Sequence, residues 1–428
     1  MTDKKRPWPA WLAGLLLAML VLAAPAARAS QGDLEAKIQA LEQSLQELKA
    51  QLAEMKKGQQ ELKSVQEKKQ KETTALKLPA WLDRFTFYGD TRFRYEMTNY
   101  DDFQGASKDS RSRLRVRLRF GVKSQIHRDV EMGLRLATGS DDEPTSTNQT
   151  MGNYWGEYSS LGIDRVYLTW TPWFLPQRNL ALTLGKFANP LVTSKAIWDG
   201  DVQPEGGWVK YTFNKQGTVQ PFVLGTVWYL KEHSSDPPSD LVGWTGQVGA
   251  KAKLGRFKLL AATSYYDWGD LGQPGQLPPN IHGNPTYQEN GEDRLSSFKV
   301  WDLYAKAGYR LDKKSSLGLW GHYLVNTDAS GPYQDQDSAW ALGAKYTYDK
   351  FSLGTWYKYV EANASPGFIA DSDSGYVNRK GWVVGLGYQF WKYGKIKLTY
   401  FNMESIDGAI PGASNDYQTF FTDLIFKF

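Results

Sequence analysis

The 428-residue sequence contains no cysteine and only four histidines. It offers no disulfide, no thiolate metal site and no cysteine nucleophile. Its mean hydropathy of −0.52 is too low for a bundle of membrane helices. Aromatic residues are abundant, with 17 Trp, 24 Tyr and 19 Phe, which argues against a disordered chain. Together with 40 glycines, this composition favours a β-structured protein that is secreted or set in an outer membrane.

The first thirty residues have the pattern of a secretory signal peptide. Residues 4–6 (Lys-Lys-Arg) are basic, residues 11–24 are almost all apolar, and residues 27–29 (Ala-Arg-Ala) form a small-x-small cleavage site. We therefore expect residues 1–29 to be removed. This removal takes away four basic residues and one acidic residue, so the net charge of +5 falls to +2. The positive net charge is the main argument for a nucleic-acid partner. Because most of it lies in the predicted signal peptide, we predict no such partner.

Residues 30–78 carry a heptad repeat that is typical of a coiled coil. The a positions are Ile38, Leu45 and Leu52, and the d positions are Leu34, Leu41, Leu48, Met55 and Leu62. Because a single helix would leave this stripe in water, we expect a periplasmic segment that pairs with copies of itself, as in a trimerisation stalk. Two alternatives remain open: an amphipathic helix that rests on the following domain, and a spacer that reaches the peptidoglycan.

Beyond Trp81 the hydrophobic period becomes two, which is the period of a β-strand. Alternation is complete from Arg113 to Phe120, and it recurs in about sixteen segments of residues 79–428. The connections alternate between tight turns and long loops, as they do in outer-membrane barrels. The predicted fold is therefore all-β: an antiparallel transmembrane barrel of about sixteen strands, preceded by the short helical coiled coil.

The end of the sequence alternates apolar and other residues from Phe420 to Phe428. We expect this strand to close the barrel against the first one, and Phe428 to be recognised by the barrel-assembly machinery. Aromatic residues near strand ends are predicted to form girdles at the two membrane interfaces. They are Tyr88, Trp170, Trp173, Trp208, Trp228, Trp244, Trp301, Tyr309 and Trp391.

Charge in the predicted barrel is nearly balanced, with 38 basic and 37 acidic residues, but it is segregated. Seventeen acidic residues and no Lys or Arg lie in the connections 139–160, 269–293, 327–338, 361–378 and 403–417. The basic excess is predicted to face the bore, because a charge facing lipid costs about 2–4 kcal/mol at mid-membrane. The predicted pore-lining residues are Arg92, Arg94, Arg113, Arg115, Arg117, Arg119, Arg135, Arg165 and Lys210. Further lysines predicted to face inward are Lys251, Lys253, Lys306, Lys345, Lys358, Lys395 and Lys397.

Alternate arginines from Arg111 to Arg119 form the most specific feature of this predicted wall. A basic bore attracts anions and repels cations, so we predict an anion-preferring channel. The alternative is a neutral wall whose arginines pair with carboxylates, for which the candidates are Asp90, Glu96, Glu131 and Asp302. The acidic loops could be ordinary solvated surface, or could bind lipopolysaccharide through divalent cations.

The third long connection, from Phe187 to Gly206, is predicted to fold into the bore as a constriction loop. Its acidic residues Asp199, Asp201 and Glu205 would then face the arginines. An acidic loop opposite a basic wall would create a transverse electric field that orients dipolar solutes.

Five segments carry a family likeness, namely Arg113–Gly121 (RLRVRLRFG), Leu134–Gly139 (LRLATG), Pro144–Thr150 (PTSTNQT), Leu184–Pro190 (LGKFANP) and Trp198–Gly206 (WDGDVQPEG). They resemble the bacterial putative porin family, relatives of the general and phosphate-selective outer-membrane porins. The resemblance implies a water-filled diffusion channel for small hydrophilic solutes, a homotrimer embedded in outer-membrane lipid and, as in some relatives, an N-terminal coiled coil. It does not indicate a solute.

Catalysis has little support in the sequence, because none of His127, His233, His282 and His322 lies in a serine-containing catalytic motif. We predict no enzyme activity, no cofactor and no metal site. The second functional hypothesis is structural: the coiled coil would tether the outer membrane to the cell wall.

Overall fold

The computed structural model describes residues 31–74, 82–101, 107–140, 143–156, 160–234, 238–410 and 416–428. The predicted signal peptide, residues 1–29, lies outside the described residues. The chain divides into two compact units, Met1–Ala80 and Trp81–Phe428.

The described part of the first unit is one α-helix, α1, which spans Gln31–Thr74. Heptad residues on this helix are exposed in the single chain, by 49% at Ile38 and by 71% at Met55. Leu45, Leu48 and Leu52 fall between these values. Across the described residues, no helix combines the length and hydrophobicity needed to span a bilayer.

The second unit is a closed antiparallel barrel of sixteen long strands, which confirms the predicted fold class. The strands are β1 Phe85–Asp101, β2 Ser107–His127, β3 Val130–Thr138, β4 Leu161–Trp170, β5 Leu180–Lys186, β6 Glu205–Thr212, β7 Val219–Lys231, β8 Leu241–Leu254, β9 Phe257–Asp267, β10 Lys299–Arg310, β11 Ser315–Asn326, β12 Ser338–Tyr348, β13 Phe351–Val360, β14 Arg379–Trp391, β15 Gly394–Ser405 and β16 Asp416–Lys427. A two-residue strand, Gln149–Thr150, also joins the sheet beside β2.

The barrel closes where β1 pairs with β16, from Asp90 opposite Lys427 to Asp101 opposite Asp416. Two backbone hydrogen bonds extend this pairing to the last residue. The Gly89 N–H donates to the Phe428 carbonyl at 3.1 Å, and the Phe428 N–H donates to the Gly89 carbonyl at 3.2 Å. A Cβ atom at Gly89 would lie 2.6 Å from the Phe428 ring, so glycine leaves room for that ring.

The connections differ in length at the two rims, as the sequence predicts. Turns such as residues 128–129 and 349–350 join strands at one rim. Four long connections at the other rim are important below: loop 2 (residues 139–160), loop 3 (187–204), loop 5 (268–298) and loop 7 (361–378).

Strand β1 shows how alternation separates the two faces. Asp90, Arg92, Arg94 and Glu96 are buried inside the barrel, whereas intervening residues such as Phe93 are exposed on the outside. An outward apolar band is the surface that lipid requires, since lipid offers no hydrogen bonds to polar side chains.

The interior is less polar than the sequence predicts, because loops 3, 5 and 7 pack apolar side chains against the inner wall. Trp198 of loop 3 lies 6.1 Å from Trp228 of β7 and 5.8 Å from Trp268 of loop 5, measured between ring centroids. Phe298 and Ile369 join the same buried cluster. We call this group the aromatic cluster. A second, smaller apolar cluster inside the barrel consists of Val383, Phe401, Met403 and Phe421 on β14, β15 and β16.

Three residues predicted for the membrane girdles instead occupy inward positions: Tyr88, which precedes Asp90 by two residues on β1, and Trp208 and Trp228. Trp228 is only 2% exposed in the aromatic cluster, and Trp208 packs against it. Both occupy inward positions on their strands, and the folded loops supply the core that the sequence did not reveal. By contrast, Trp173, Trp244 and Trp391 are exposed on the barrel, as the girdle prediction requires.

Candidate functional site

Eight arginines project inward from four adjacent strands and form what we call the basic wall. Its members are Arg92 and Arg94 of β1, Arg113, Arg115, Arg117 and Arg119 of β2, Arg135 of β3 and Arg165 of β4. Period-two alternation gives the residues of each strand a common direction, and cross-strand pairing aligns the strands, with Arg92 opposite Arg117 and Arg94 opposite Arg115. The predicted arginines are thus brought together.

Each of four carboxylates in the wall lies between two arginines. Asp90 accepts hydrogen bonds from Arg117 Nη2 at 2.6 Å and from Arg119 Nε at 2.8 Å. Glu96 likewise accepts from Arg113 Nε at 2.7 Å and from Arg115 Nη1 at 3.3 Å.

The same arrangement recurs at both edges of the basic wall. Asp423 of β16 accepts from Arg94 Nε at 2.7 Å and lies 3.9 Å from Arg92 Nε. Asp164 of β4 pairs with Arg135 and lies 4.0 Å from Arg165 Nε. One carboxylate for every two guanidinium groups stabilises the buried arginines but leaves the strands of the wall positively charged.

Loop 3 brings one of its predicted acidic residues directly to the basic wall. Asp201 accepts a hydrogen bond from Arg119 Nη1 at 3.1 Å and lies 3.9 Å from Arg117 Nη1. Its second oxygen accepts from the Thr147 hydroxyl of loop 2 at 2.9 Å. Asp201 therefore joins loops 2 and 3 to β2.

The other two predicted acidic residues of the constriction loop lie elsewhere. Asp199 is buried against loop 7, where its carboxylate accepts from the backbone N–H of Ser372 at 3.2 Å. Glu205 begins β6 and pairs with Lys186 at 2.7 Å; it is 58% exposed and makes no ion pair with the arginines of the described residues. The expectation that all three acidic residues face the arginines therefore holds only for Asp201.

Asp199 and Asp201 are two residues apart, but their pKa values are shifted in opposite directions. Burial raises the pKa of Asp199, and the nearby Asp371 carboxylate raises it further. Burial opposes ionisation of Asp201 as well, but Arg117 and Arg119 lower its pKa below the ordinary value. Loop 3 thus presents to the basic wall a carboxyl group whose pKa is lowered, and to loop 7 a carboxyl group whose pKa is raised.

Loop 7 also reaches the basic wall, whereas its acidic sequence favours a solvated or lipopolysaccharide-binding loop. Asp373 accepts from Arg94 Nη1 at 2.9 Å and from Lys195 of loop 3 at 3.1 Å. Lys195 also contacts Asp371 at 3.0 Å. Loop 7 is therefore a second acidic loop inside the barrel, and Asp371 and Asp373 do not belong to an outer rim.

A buried hydrogen-bond network anchors loop 3 to the wall opposite the arginines. The Ser194 hydroxyl lies 2.9 Å from Nδ1 of His322, and Nε2 of His322 lies 3.2 Å from Asp302. The Tyr266 hydroxyl donates to the same Asp302 oxygen at 3.1 Å. Serine, histidine and aspartate also form catalytic triads, but here the His322 and Asp302 side chains are 0% and 2% exposed. The network connects loop 3 to β10 and β11.

Lysines continue the positive surface around the rest of the barrel. Inward positions on β8, β10, β12 and β15 hold Lys251, Lys253, Lys306, Lys345, Lys395 and Lys397. None of these lysines is ion-paired with a described residue. Lys210 lies 4.4 Å from the centre of the Phe222 ring. Lys358 is fully buried and donates to the Tyr376 carbonyl at 2.8 Å.

Comparisons with known proteins give one family match and several similar solved structures. Residues 103–276 match the model of the putative porin family. Among solved structures, the chain is similar to Salmonella typhi OmpF in complex with daunomycin, at 12% identity and a TM-score of 0.49, over 80% of this chain and 97% of that one. It is also similar to a loop-deletion mutant of OmpT from Vibrio cholerae, at 11% identity and a TM-score of 0.44, over 80% and 99% of the two chains. A mutant of the Rh. blastica porin matches at 10% identity and a TM-score of 0.44, over 80% and 100%. No curated protein matches the sequence.

The segment matched by the family model includes the arginine strand β2, the wall strands β3 and β4, and loop 3. These are the elements in which the sequence resemblance lies, so that resemblance is confirmed. Residues 103–276 are therefore similar to the putative porin family, and the chain folds as a closed sixteen-stranded antiparallel barrel.

Proposed function

We propose that this protein forms a water-filled diffusion channel in the outer membrane and that the channel conducts small anions in preference to cations. The observation that carries the proposal is the ratio within the basic wall, where each strand carboxylate serves two arginines. Loop carboxylates such as Asp201 and Asp373 offset part of the excess. The inward-facing lysines add positive charge again. A narrow cationic bore with walls of low dielectric constant raises the local concentration of anions.

Reversal potentials in a KCl gradient across planar bilayers test this proposal. We expect the sign of the wild-type reversal potential to show that chloride permeates more readily than potassium. The double substitution Arg115→Glu/Arg117→Glu exchanges two positive charges for two negative ones inside the bore, so its reversal potential should move toward that of potassium. A matched control, Arg256→Glu/Lys313→Glu, makes the same exchange in two exposed short turns and should cause a much smaller shift. Equal shifts in the two variants, or a wild type that prefers potassium, would contradict anion selection by the basic wall.

A trimer is the assembly that we propose, with α1 as its oligomerisation element. The exposed heptad residues from Ile38 to Met55 support it, because water contact with such a stripe is unfavourable and self-association removes it. Anchoring to the cell wall is compatible with a trimeric stalk, but no contact in the described residues favours it.

Substitution of a-position residues tests the role of α1 in assembly. We expect Leu45→Lys/Leu52→Lys in the full-length protein to abolish or sharply weaken the trimer, since two charges per helix would enter the seam. Cross-linking and native mass spectrometry measure the oligomer. The control Glu47→Lys/Glu54→Lys also adds lysines to the helix but at positions outside the a/d seam, and should leave the trimer in place. A trimer that survives both changes would show that α1 does not hold it together.

A further inference from the structure

A cavity of about 570 Å³ lies beside the basic wall, at the end of the barrel that carries the long loops. Arginines of β2, residues of β16 and parts of loops 2 and 7 line it. This volume is within the usual range for sites that bind a small organic molecule. The cavity combines cationic, aromatic and acidic groups, which together restrict the chemistry of its occupant.

The cationic side of the cavity retains hydrogen-bonding capacity for an anion. Arg113 and Arg115 share Glu96, so their combined charge exceeds that of their carboxylate. The side chains of Arg113 and Arg115 are 24% and 14% exposed, so both remain partly accessible from the cavity that they line. Guanidinium groups bind carboxylates through paired N–H donors, so a ligand carboxylate suits this side.

The aromatic side comes from β16. The Arg94 guanidinium lies 3.9 Å from the centre of the Phe421 ring, and the Arg379 guanidinium lies farther, at 5.4 Å, from that of Tyr417. Tyr417 lines the cavity together with Tyr100 of β1 and Tyr376 of loop 7. Gly375 of loop 7 packs against the Tyr417 ring with a left-handed φ of 79°. A Cβ atom there would lie 2.7 Å from the Tyr417 hydroxyl, so glycine keeps the approach to the ring free. Such a surface suits the C–H face of a six-membered ring.

Acceptors in the same cavity distinguish a sugar from an aromatic acid. The carboxylates of Glu96 and Asp373 line it together with the Ser146 and Thr419 hydroxyls. These groups can accept hydrogen bonds from the hydroxyls of a sugar ring. Arginines and Lys195 already donate to the two carboxylates, and an aromatic carboxylate would bring no hydroxyl donor for their remaining lone pairs, whereas a sugar ring would.

We infer that this cavity is a binding site for hexuronates, that is, six-membered sugar rings that carry one carboxylate. The carboxylate lies at Arg113 and Arg115, one ring face lies on Tyr417, and the hydroxyls donate to Glu96 and Asp373. This inference rests on the proposed anion preference of the channel and names a class of solute for it. A saturable site at the long-loop end would favour capture of dilute uronates over free diffusion alone.

Blockade of single-channel KCl current by sodium glucuronate tests the inference. Glucose is the probe that has the ring but no carboxylate, and acetate is the probe that has the carboxylate but no ring. We expect glucuronate to block saturably, and the other two to need at least tenfold higher concentrations. Arg113→Gln should raise the half-blocking concentration roughly tenfold or more, because a charge-assisted hydrogen bond contributes about 1.5–3 kcal/mol. Tyr417→Leu should raise it several-fold through loss of the ring surface.

The control Arg256→Gln removes an arginine from a short turn at the opposite rim and should leave blockade unchanged. Equal blockade by glucuronate and acetate, or the same half-blocking concentration in Arg113→Gln and Tyr417→Leu as in wild type, would overturn the inference. Reversal potentials in KCl alone separate this result from failure of the proposed function. A chloride-selective channel without saturable glucuronate blockade retains the function and loses only the site.

Discussion

Asp90→Asn is expected to make the barrel less stable and its pore more selective for anions at the same time. Asp90 is 6% exposed and holds the guanidinium groups of Arg117 and Arg119. Removal of its charge leaves two buried cations with less compensation, and loss of one partner of a buried ion pair costs about 3–5 kcal/mol. Asp201 still contacts Arg119 at 3.1 Å, so we expect a value near the lower end of this range.

The two readouts of Asp90→Asn move in opposite directions for one reason. The free energy of unfolding, measured with denaturant in lipid vesicles, should fall because the arginines repel each other. The KCl reversal potential should shift toward chloride because the wall gains net positive charge. A purely structural role for Asp90 would lower stability without this shift, and a fully water-screened wall would show neither effect.

Asp328→Asn provides the matched control for Asp90→Asn. Asp328 pairs with Lys299 at 3.3 Å, but the two side chains are 45% and 43% exposed. Solvent-exposed pairs of this kind contribute about 1 kcal/mol or less. We therefore expect little change in unfolding free energy and none in selectivity. A large loss of stability here would indicate that the cost at Asp90 does not come from burial.

The barrel itself could be predicted because its signals are local. Alternation from Arg113 to Phe120 fixes which residues face inward, and a tight connection such as residues 349–350 marks each hairpin. A shift of one residue in the pairing of two strands would turn charged side chains toward lipid. The free-energy cost of that exposure strongly specifies the strand register. The closure of β16 on β1 follows from the same rules.

All eight arginines of the basic wall could also be predicted, and so could two of their partners, Asp90 and Glu96. Asp164 was missed because it precedes Arg165 in the sequence, which breaks the alternation. The structure explains this by a register shift in the pairing of β3 with β4, between Arg135 and Leu136, so that both Asp164 and Arg165 approach Arg135. Such bulges have no clear signal in a single sequence.

The inward folding of loop 7 could not be predicted from charge alone. Its acidic residues Asp371 and Asp373 are typical of a solvated loop, and only contacts with distant Arg94 and Lys195 show otherwise. The sequence nonetheless contains a signal, because an apolar residue such as Ile369 is unusual in a loop exposed to water. In the structure Ile369 is buried. Contacts between loops depend on partners far apart in the chain, which hydrophobic periodicity does not encode.

Trp198→Ala is expected to weaken the barrel interior and widen the conducting path. Trp198 is 5% exposed, and its ring lies within 6.4 Å of those of Trp228, Tyr266 and Trp268. Removal of a buried indole leaves a cavity and costs about 3–5 kcal/mol. The neighbouring Asp199 N–H donates to the Ile369 carbonyl at 2.8 Å, so loosening at Trp198 also disturbs the contact between loops 3 and 7.

Conductance and stability distinguish this role of Trp198 from that of an outer tryptophan. Trp391→Ala removes the same side chain at a site that is 58% exposed on the barrel, so we expect a smaller loss of unfolding free energy and unchanged single-channel conductance. For Trp198→Ala we expect higher conductance together with a weaker reversal potential, because Asp201 and the arginines would face each other across a wider bore. Unchanged conductance in Trp198→Ala would show that loop 3 stays in place through Asp201 and the Ser194–His322 contact, and that the aromatic cluster contributes to stability without setting the width of the pore.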